Sequence, residues 1–372
     1  MKQNLFLIVA GDPSGDLHAS NLISALKRRD PSARVAAVGG PLCRAVADEF
    51  LEDLASRGLT GFWEPLLKIP FMLELRSKLQ TFLHERRPAA LICVDYYGFN
   101  RRILPLAKEA GIPAFYFISP QVWASRPSRI KVLKRFVEKM LVIFPFEEKL
   151  YRDAGVPADF VGHPLLDLIP EPKARGAVTA STVGLLPGSR SSEIRRHLPI
   201  FFEAFRSLRA ERPALKGLLF ASANQDDAAF GVLPAGVEIV REQNYSRRGD
   251  LDLAICSSGT ATLENALLGV PMVVVYKLSW PTYVIARALV NIKHIAMANL
   301  LAGKTIVPEL IQRDATTERI SAEAAAVLDH PAHAAAVRAE LLMVRRSLGE
   351  PGAADRAALT VLAGTAKRAV SL

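Results

Sequence analysis

The stretch ICSSGTATLE, residues 255–264, passes from an apolar strand through a Ser-Ser-Gly-Thr turn into a helix. The amides of a first helical turn are unpaired and the helix dipole is positive there, so this turn suits a phosphate without a metal ion. Glu264 follows one turn inside the helix, where its carboxylate can accept hydrogen bonds from ribose hydroxyls. A capping box is the structural alternative, but the spacing does not satisfy it. The predicted phosphate and ribose site consists of Ser258, Gly259, Thr260 and Glu264.

A similar strand and turn occur earlier, in GLLPGSRSSE, residues 184–193. Gly188 lets the backbone approach a ligand closely, and Arg190 supplies a cation at the same edge of the predicted sheet. Arginine presents a planar fork of N–H groups that fits a diphosphate. An exposed arginine after a turn is common, so an ordinary surface loop stays open as the alternative. The candidate diphosphate residues are Gly188, Ser189 and Arg190.

Apolar strand-like runs alternate with amphipathic helical segments around both motifs, which is typical of doubly wound parallel sheets. The predicted strands are 5–10, 34–38, 90–94, 114–118, 140–143, 159–161, 182–186, 218–221, 237–240, 253–256 and 272–275. The predicted helices include 17–29 and 102–110. This alternation predicts an α/β protein with two Rossmann-like domains that face each other across a cleft.

The length of 372 residues suits two α/β domains, and the Pro-rich stretch 170–176 indicates a linker between them. The tail from Ile320 onward is Ala-rich and helical in pattern. We therefore predict an N-terminal domain over 1–169 and a C-terminal domain over 177–345. A helical tail, 346–372, is expected to pack on the N-terminal domain or on a partner subunit.

Asp95 follows the apolar strand 90–94, where a carboxylate can act as general base for an alcohol. The alternative is that Asp95 caps the next helix. The loop AGDPSGD, residues 10–16, ends the first strand, and open α/β sheets bind ligands at such turns. This loop has neither a GxGxxG pattern nor the lysine of a P-loop, and a helix N-cap is its alternative. Its candidate residues are Ser14, Gly15 and Asp16.

The segment GFWEPLLKIPFML, residues 61–73, is dense in large apolar side chains and contains two prolines that prevent a long regular helix. It is either buried core or an exposed patch for acyl chains and a membrane surface. The candidate lipid contacts are Phe62, Trp63, Leu66, Leu67, Ile69, Phe71 and Met72. The basic stretch 126–135 can attract anionic headgroups, or it is a solvated helix face.

The net charge of +10 is compatible with nucleic acid, an anionic membrane or a phosphorylated substrate. No recognised nucleic-acid motif is present. The three cysteines are far apart and fit a reducing cytoplasm better than a disulfide framework or a zinc site. Asp250-Leu251-Asp252 looks like a DxD metal motif, but it precedes a strand instead of ending one, so we predict no metal. We also find no apolar run long enough to span a bilayer.

Taken together, these segments resemble the lipid-A-disaccharide synthase family from the first strand to beyond Gln312. The similar segments are Ala10–Asp16, Val38–Pro41, Gly61–Leu66, Asp95 with Phe99-Asn100, Ile118–Ala124, Phe144–Glu147, Val161–Pro164, Leu186–Arg190, Ser258–Glu264 and Asn299–Gly303. The resemblance implies a GT-B fold and an inverting transfer that needs neither a metal nor a cofactor. It also implies UDP-2,3-diacylglucosamine as sugar donor and 2,3-diacylglucosamine 1-phosphate as acceptor, giving a β(1→6) disaccharide 1-phosphate and UDP.

By the same resemblance, Asp95 matches the proposed base of the family and Arg190 its essential arginine. Asn299 matches the asparagine of an Asn-Leu-Leu-Ala-Gly motif and joins the predicted nucleotide-sugar site. The chain departs from the usual pattern at Asp12-Pro13, Gly98, Ser125 and Ala298. None of these departures removes a proposed catalytic group.

The resemblance further implies a cytoplasmic protein that is peripheral on the inner membrane and forms homodimers through its tail. The nearest rivals are other GT-B enzymes, such as a UDP-GlcNAc epimerase or a peptidoglycan glycosyltransferase, which do not need the apolar segment 62–73. A basic nucleic-acid-binding module would explain the charge, but it leaves the turns at 187–190 and 258–264 unexplained. We therefore expect no nucleic-acid partner.

Overall fold

The computed structural model describes residues 4–56, 69–124, 127–173, 181–222, 225–242, 244–280, 283 and 293–370. The chain forms two compact units. The first combines Met1–Pro164 with Leu348–Leu372, and the second is Leu165–Ser347. The separate binding roles expected for the two halves stay predictions.

The first unit is built on a parallel sheet of seven described strands in the order β3-β2-β1-β4-β5-β6-β7. They are β1 (Asn4–Ala10), β2 (Ala33–Gly39), β3 (Glu49–Asp53), β4 (Ala90–Val94), β5 (Ala114–Phe117), β6 (Lys139–Val142) and β7 (Ala158–Phe160). Every residue of β4 is buried, as expected for a parallel sheet covered on both faces. The strand order reverses between β1 and β4. Ligands of open α/β sheets bind at the carboxyl ends of the strands at such a reversal.

Helices follow the strands of this sheet: α1 (Pro13–Arg29), α2 (Pro41–Val46), α3 (Ile69–Arg86), α4 (Tyr97–Glu109), α5 (Arg129–Phe136) and α6 (Pro145–Asp153). Helix α1 begins at Pro13 and not at the predicted Leu17. The reason is local, because the amide of Gly15 donates to Asp12 Oδ1 at 2.6 Å and a proline suits the first helical position.

The second unit repeats the architecture with six described strands in the order β10-β9-β8-β11-β12-β13. They are β8 (Thr182–Leu186), β9 (Lys216–Phe220), β10 (Val237–Val240), β11 (Leu253–Ser257), β12 (Met272–Tyr276) and β13 (Glu309–Ile311). Its helices within the described residues are α7 (Ser191–Glu211), α8 (Ser246–Gly249), α9 (Thr260–Leu267), α10 (Met297–Ala302), α11 (Thr317–Leu328) and α12 (Pro331–Ser347). The order reverses between β8 and β11, which precede the two predicted phosphate-binding turns.

The last helix, α13 (Ala353–Val370), belongs to the first unit and packs against α1. Asp355 accepts hydrogen bonds from Arg28 Nη2 at 2.9 Å and from Arg29 Nε at 3.0 Å. Arg356 Nε donates to the carbonyl of Val161 at 2.7 Å. The predicted α/β class with a helical C-terminal tail is confirmed.

Two edge strands were not predicted. Strand β3 has the sequence EFLED and only partly buried residues, and β13 is three residues long, so neither shows the apolar run of a central strand. Of the apolar stretch 61–73, residues 61–68 lie outside the described residues. None of the helices in the described part of the chain has both the length and the apolar character that crossing a bilayer requires.

Candidate active site

A cavity of about 480 Å³ lies at the carboxyl edge of the second sheet. Strands β8 and β11 are paired neighbours, with Leu186 opposite Cys256, so the turns that follow them open side by side. The cavity wall includes all seven residues predicted from those two turns: Gly188, Ser189, Arg190, Ser258, Gly259, Thr260 and Glu264. The structure therefore brings together two motifs that are about 70 residues apart in the chain.

The turn after β11 has a backbone that only glycine adopts easily, since Gly259 has a φ of +147°. Helix α9 starts directly behind it, and its N-cap residue, Gly259, has no side chain that could accept from the first amides of the helix. A Cβ atom built on Gly259 would meet no atom within 4 Å, so the space in front of the helix is open. This geometry presents helix N-terminal amides to a ligand in the cavity, as phosphate sites do.

The turn after β8 is braced by Glu193 in the first turn of α7. The amide of Ser189 donates to Glu193 Oε2 at 3.2 Å, and Arg190 Nη1 donates to Glu193 Oε1 at 2.8 Å. The Arg190 side chain is nevertheless 78% exposed. Because a guanidinium carries five N–H groups, Arg190 can bind an anion while Glu193 holds its orientation.

His197 is a buried residue of α7 that sequence reasoning missed, and it fixes this turn from behind. The amide of Lys277 donates to His197 Nε2 at 3.1 Å, so the proton of the neutral ring is on Nδ1. Nδ1 then donates to the carbonyl of Pro187 at 2.9 Å. Burial lowers the pKa of His197, which favours this neutral form.

Two further residues that line the cavity were also missed, Tyr245 and Arg248, and both bind the carboxylate of Glu264. Arg248 lies in the short helix α8, and Tyr245 directly precedes this helix. Their distance from Glu264 along the chain, 19 and 16 residues, gives a sequence pattern no local signal for this contact.

Asn299 does not line the cavity described above; it lies fully buried in α10. Its Nδ2 donates to the carbonyl of Val307 and to Glu309 Oε1, both at 2.8 Å. Its Oδ1 accepts from the amides of Ile306 and Val307. These contacts tie α10 to residues 306 and 307, directly before β13, so the role of Asn299 in the structure is to hold this segment in place.

Asp95 stands at the carboxyl end of β4 in a strained backbone, with φ of +45°. Strain of this kind is often found at active sites. Its carbonyl accepts from Asn100 Nδ2 at 2.7 Å and from Tyr116 Oη at 2.5 Å, which fixes the backbone. Burial and, secondly, the negative charge of Asp12 raise the pKa of the Asp95 carboxyl to about 6.

The predicted residues of the loop 10–16 have different contacts. Ser14 is exposed, and its hydroxyl donates to Asp12 Oδ1 at 3.0 Å, as the amide of Gly15 does at 2.6 Å. Asp16 is buried, and its carboxylate accepts from the amides of Gly40, Leu42 and Cys43. Asp16 therefore holds the start of α2. Of the three predicted residues in this loop, Ser14 is the one exposed to solvent.

Glu147 is a buried carboxylate at the same edge of the first sheet, not selected from the sequence as a site residue. It accepts from Ser119 Oγ at 2.5 Å, Trp123 Nε1 at 3.2 Å and the amide of Phe144 at 3.2 Å. Burial raises its pKa to about 7. Glu147 joins two of the segments on which the family resemblance rests, those after β5 and β6.

The predicted lipid contacts fall partly outside the described residues, namely Phe62, Trp63, Leu66 and Leu67. Ile69 begins α3 and is 42% exposed, and Leu73 one turn later is 55% exposed. Phe71 and Met72 are half-buried and pack against the core of the first unit.

The two aspartates of the DxD sequence take part in structural contacts. Asp250 pairs with Lys173 at 3.1 Å, and Asp252 Oδ2 accepts from the amide of Thr182 at 2.8 Å. Among the described residues there is no group of three or more His, Cys, Asp or Glu side chains that can hold a metal ion.

Comparison with solved structures shows the fold. The kitacinnamycin glycotransferase superposes with a TM-score of 0.65 at 19% identity, covering 97% of this chain and 99% of that one. The UDP-GlcNAc 2-epimerase from Neisseria meningitidis, solved with UDP-GlcNAc bound, gives 0.59 at 11% identity, covering 98% and 100%. The predicted GT-B fold is confirmed.

Comparison of sequences narrows the family. The lipid-A-disaccharide synthase of Syntrophus aciditrophicus (strain SB) is 40% identical over 375 residues, which cover 97% of this chain and 98% of the relative. The enzyme of the same name from Anaeromyxobacter dehalogenans (strain 2CP-C) is 42% identical over 368 residues, covering 96% of each. The profile of the lipid-A-disaccharide synthetase family matches residues 6–357. This chain therefore belongs to the lipid-A-disaccharide synthase family of glycosyltransferases.

Proposed function

We propose that this protein transfers 2,3-diacylglucosamine from its UDP derivative to the 6-hydroxyl of 2,3-diacylglucosamine 1-phosphate. The products are the β(1→6)-linked disaccharide 1-phosphate and UDP. The observation that carries the proposal is the cavity of the second unit, which the turns at Gly188–Arg190 and Ser258–Thr260 line together. The membership of the chain in the lipid-A-disaccharide synthase family supports it.

The UDP part of the sugar donor is assigned to that cavity. Its diphosphate would contact the open amides of α9 and the exposed guanidinium of Arg190. Its ribose would bind Glu264, whose carboxylate faces the same cavity. Asn299 and His197 contribute by fixing the loops around the cavity, since their hydrogen bonds are made within the protein.

Asp95 is assigned as the general base. The 6-hydroxyl oxygen of the acceptor attacks the anomeric carbon of the donor sugar while its proton passes to the Asp95 carboxylate. The bond from the anomeric carbon to the diphosphate oxygen breaks, and UDP leaves with the electron pair. Attack from the opposite side inverts the anomeric centre. A carboxyl whose pKa is about 6 is ionised at neutral pH and is more basic than an ordinary aspartate.

The charge that develops on the departing diphosphate would be stabilised by Arg190 and by the amides behind Ser258. Donors that are already in place need no reorganisation during the reaction, which makes them effective for this purpose. The loop of Ser14, Gly15 and Asp16 is assigned to binding of the acceptor. Asp16 would contribute indirectly, because its carboxylate holds the backbone at Gly40.

The acyl chains and the membrane are assigned to the first unit. Ile69 and Leu73 expose apolar surface at the start of α3, and Lys131, Lys134 and Arg135 are exposed on α5. Apolar anchors together with basic residues suit an anionic membrane surface. We thus place the protein on the cytoplasmic face of the inner membrane, as a peripheral protein; a homodimer stays a prediction.

Product analysis tests the proposal. The purified protein is incubated with UDP-2,3-diacylglucosamine and 2,3-diacylglucosamine 1-phosphate, and the products are identified by mass spectrometry and NMR. We expect UDP and a β(1→6) disaccharide 1-phosphate in equal amounts. No reaction with these two lipids, together with epimerisation of UDP-GlcNAc in a parallel incubation or without it, would contradict it.

A further inference from the structure

Arg248 is a buried cation next to the cavity that the reaction described above does not use. It is 8% exposed and follows β10 in the short helix α8. Its guanidinium makes three hydrogen bonds to the first two turns of α9. Nε donates to Asn265 Oδ1 at 2.7 Å, Nη1 to Glu264 Oε2 at 2.7 Å and Nη2 to the carbonyl of Ala261 at 2.8 Å.

The other oxygen of the same carboxylate is held by Tyr245. Its hydroxyl donates to Glu264 Oε1 at 2.9 Å, so each carboxylate oxygen receives one hydrogen bond from α8 or the residue before it. A carboxylate oxygen has two acceptor sites, and one therefore remains on each oxygen. The Glu264 side chain is 16% exposed and lines the cavity, so a ligand there can reach its carboxylate.

We propose that Arg248 and Tyr245 act as positioning residues that hold Glu264 as a two-oxygen acceptor for the 2′- and 3′-hydroxyls of a ribose. This assignment rests on the proposed use of a UDP-linked sugar. A carboxylate held from two sides keeps the orientation of its plane before the ligand arrives, so little side-chain freedom is lost on binding. The result is selection of a ribonucleotide over a deoxyribonucleotide.

Arginine is specifically suited to this position. Its three contacts use the planar fork of the guanidinium, which a lysine ammonium cannot reproduce. A lysine in its place keeps the positive charge beside Glu264 but leaves Asn265 or Ala261 without this donor. The Arg248→Lys variant therefore separates orientation of Glu264 from simple charge compensation.

The test measures the dissociation constants of UDP and 2′-deoxy-UDP by calorimetry. The wild-type protein is expected to prefer UDP about tenfold, because one hydrogen bond to a charged group is lost with the 2′-hydroxyl. In R248K the preference should fall to about twofold or less, with weaker UDP binding and little change for 2′-deoxy-UDP. Arg247→Lys is the matched control, because Arg247 pairs with Glu238 and not with Glu264, and it should keep the wild-type preference.

Two results would overturn the proposal: R248K retains the full preference, or it weakens both nucleotides equally, as a residue that only supports the fold would do. A wild-type protein that binds neither nucleotide would instead refute the proposed function itself. If R248K does not fold, the Tyr245→Phe variant tests the proposal instead, because it removes only the hydroxyl that donates to Glu264. We expect its preference for UDP to fall about threefold, and an unchanged preference would contradict the proposal.

Discussion

The two sheets have the same strand order around their central reversal, yet different groups stand at their carboxyl edges. The edge of the first sheet presents carboxyl groups: Asp12 and Asp95 at the reversal, and Glu147 two strands away. The edge of the second sheet also has a carboxylate, Glu264, but it adds open helix amides and the exposed guanidinium of Arg190.

We infer from this comparison that the backbone fixes where a ligand can bind, while the residues of the turns decide which ligand it is. On the first sheet, burial raises the pKa of Asp95 and of Glu147, so these carboxyls hold protons more readily than exposed ones. On the second sheet, the glycine turns leave helix amides open to an anion. We infer that the first edge receives a proton in the reaction and that the second edge stabilises the leaving diphosphate.

The largest expected effect comes from removing the base of the first edge. Asp95→Asn should lower kcat about a thousandfold, because general-base catalysis contributes about 10² to 10⁴. The steady-state rate of disaccharide formation measures it. Asp153→Asn, at an exposed ion pair with Lys149, is the matched control and should keep nearly full activity. Near-normal turnover of D95N would contradict the assignment of Asp95, at the edge of the first sheet, as the general base.

Removing the cation of the second edge should have the next largest effect. Arg190→Ala should lower kcat/KM about a hundredfold, since one preorganised donor to a developing negative charge is worth about that much. Arg195 is an exposed residue of α7, the helix that begins directly after Arg190, and Arg195→Ala is the control variant. Equal losses in the two variants would indicate a general effect of positive charge and would contradict a specific role.

The support behind the second edge should matter less. His197→Ala removes the hydrogen bond to Pro187 and the acceptor for Lys277, and we expect the KM of the sugar donor to rise about tenfold. His197→Asn keeps a donor near the Nδ1 position and should restore much of the affinity. The exposed His333 gives the control His333→Ala. A variant H197N as impaired as H197A would argue against a role of this hydrogen bond in binding.

The smallest effect concerns the charge beside Asp95. Because the base must be ionised, kcat/KM should fall as the pH drops through the Asp95 pKa of about 6. Asp12 raises this pKa, so Asp12→Asn should move the acidic limb of the pH profile to lower pH. Asparagine still caps α1, which keeps the fold. An acidic limb that stays in place or moves to higher pH would contradict the coupling of these two carboxyls.

The sequence allowed many of the strands and the two turns that we assign to phosphate to be predicted, because both are local patterns. Strands 90–94, 182–186 and 237–240 have the predicted bounds, since each is a short run with apolar residues at the buried positions. The turns at Gly188 and Gly259 were visible from glycine followed by a helix. Each of these features depends on residues within about ten positions of one another.

The contacts behind the site could not be predicted in the same way. His197 meets Lys277 across 80 residues of sequence, and Arg248 meets Glu264 across 16, so only the folded sheet brings them together. Asp16 and Asn299 show the reverse case. Their motifs resembled ligand-binding ones, but both side chains are buried and make their hydrogen bonds within their own unit, mainly to backbone groups.

The division between the two edges is tested most directly by measuring UDP binding to D95N and R190A by calorimetry, alongside the wild-type protein. The account predicts that D95N binds UDP with wild-type affinity although its turnover is lost, and that R190A binds UDP at least about tenfold more weakly. Loss of UDP binding in D95N together with unchanged binding in R190A would contradict it.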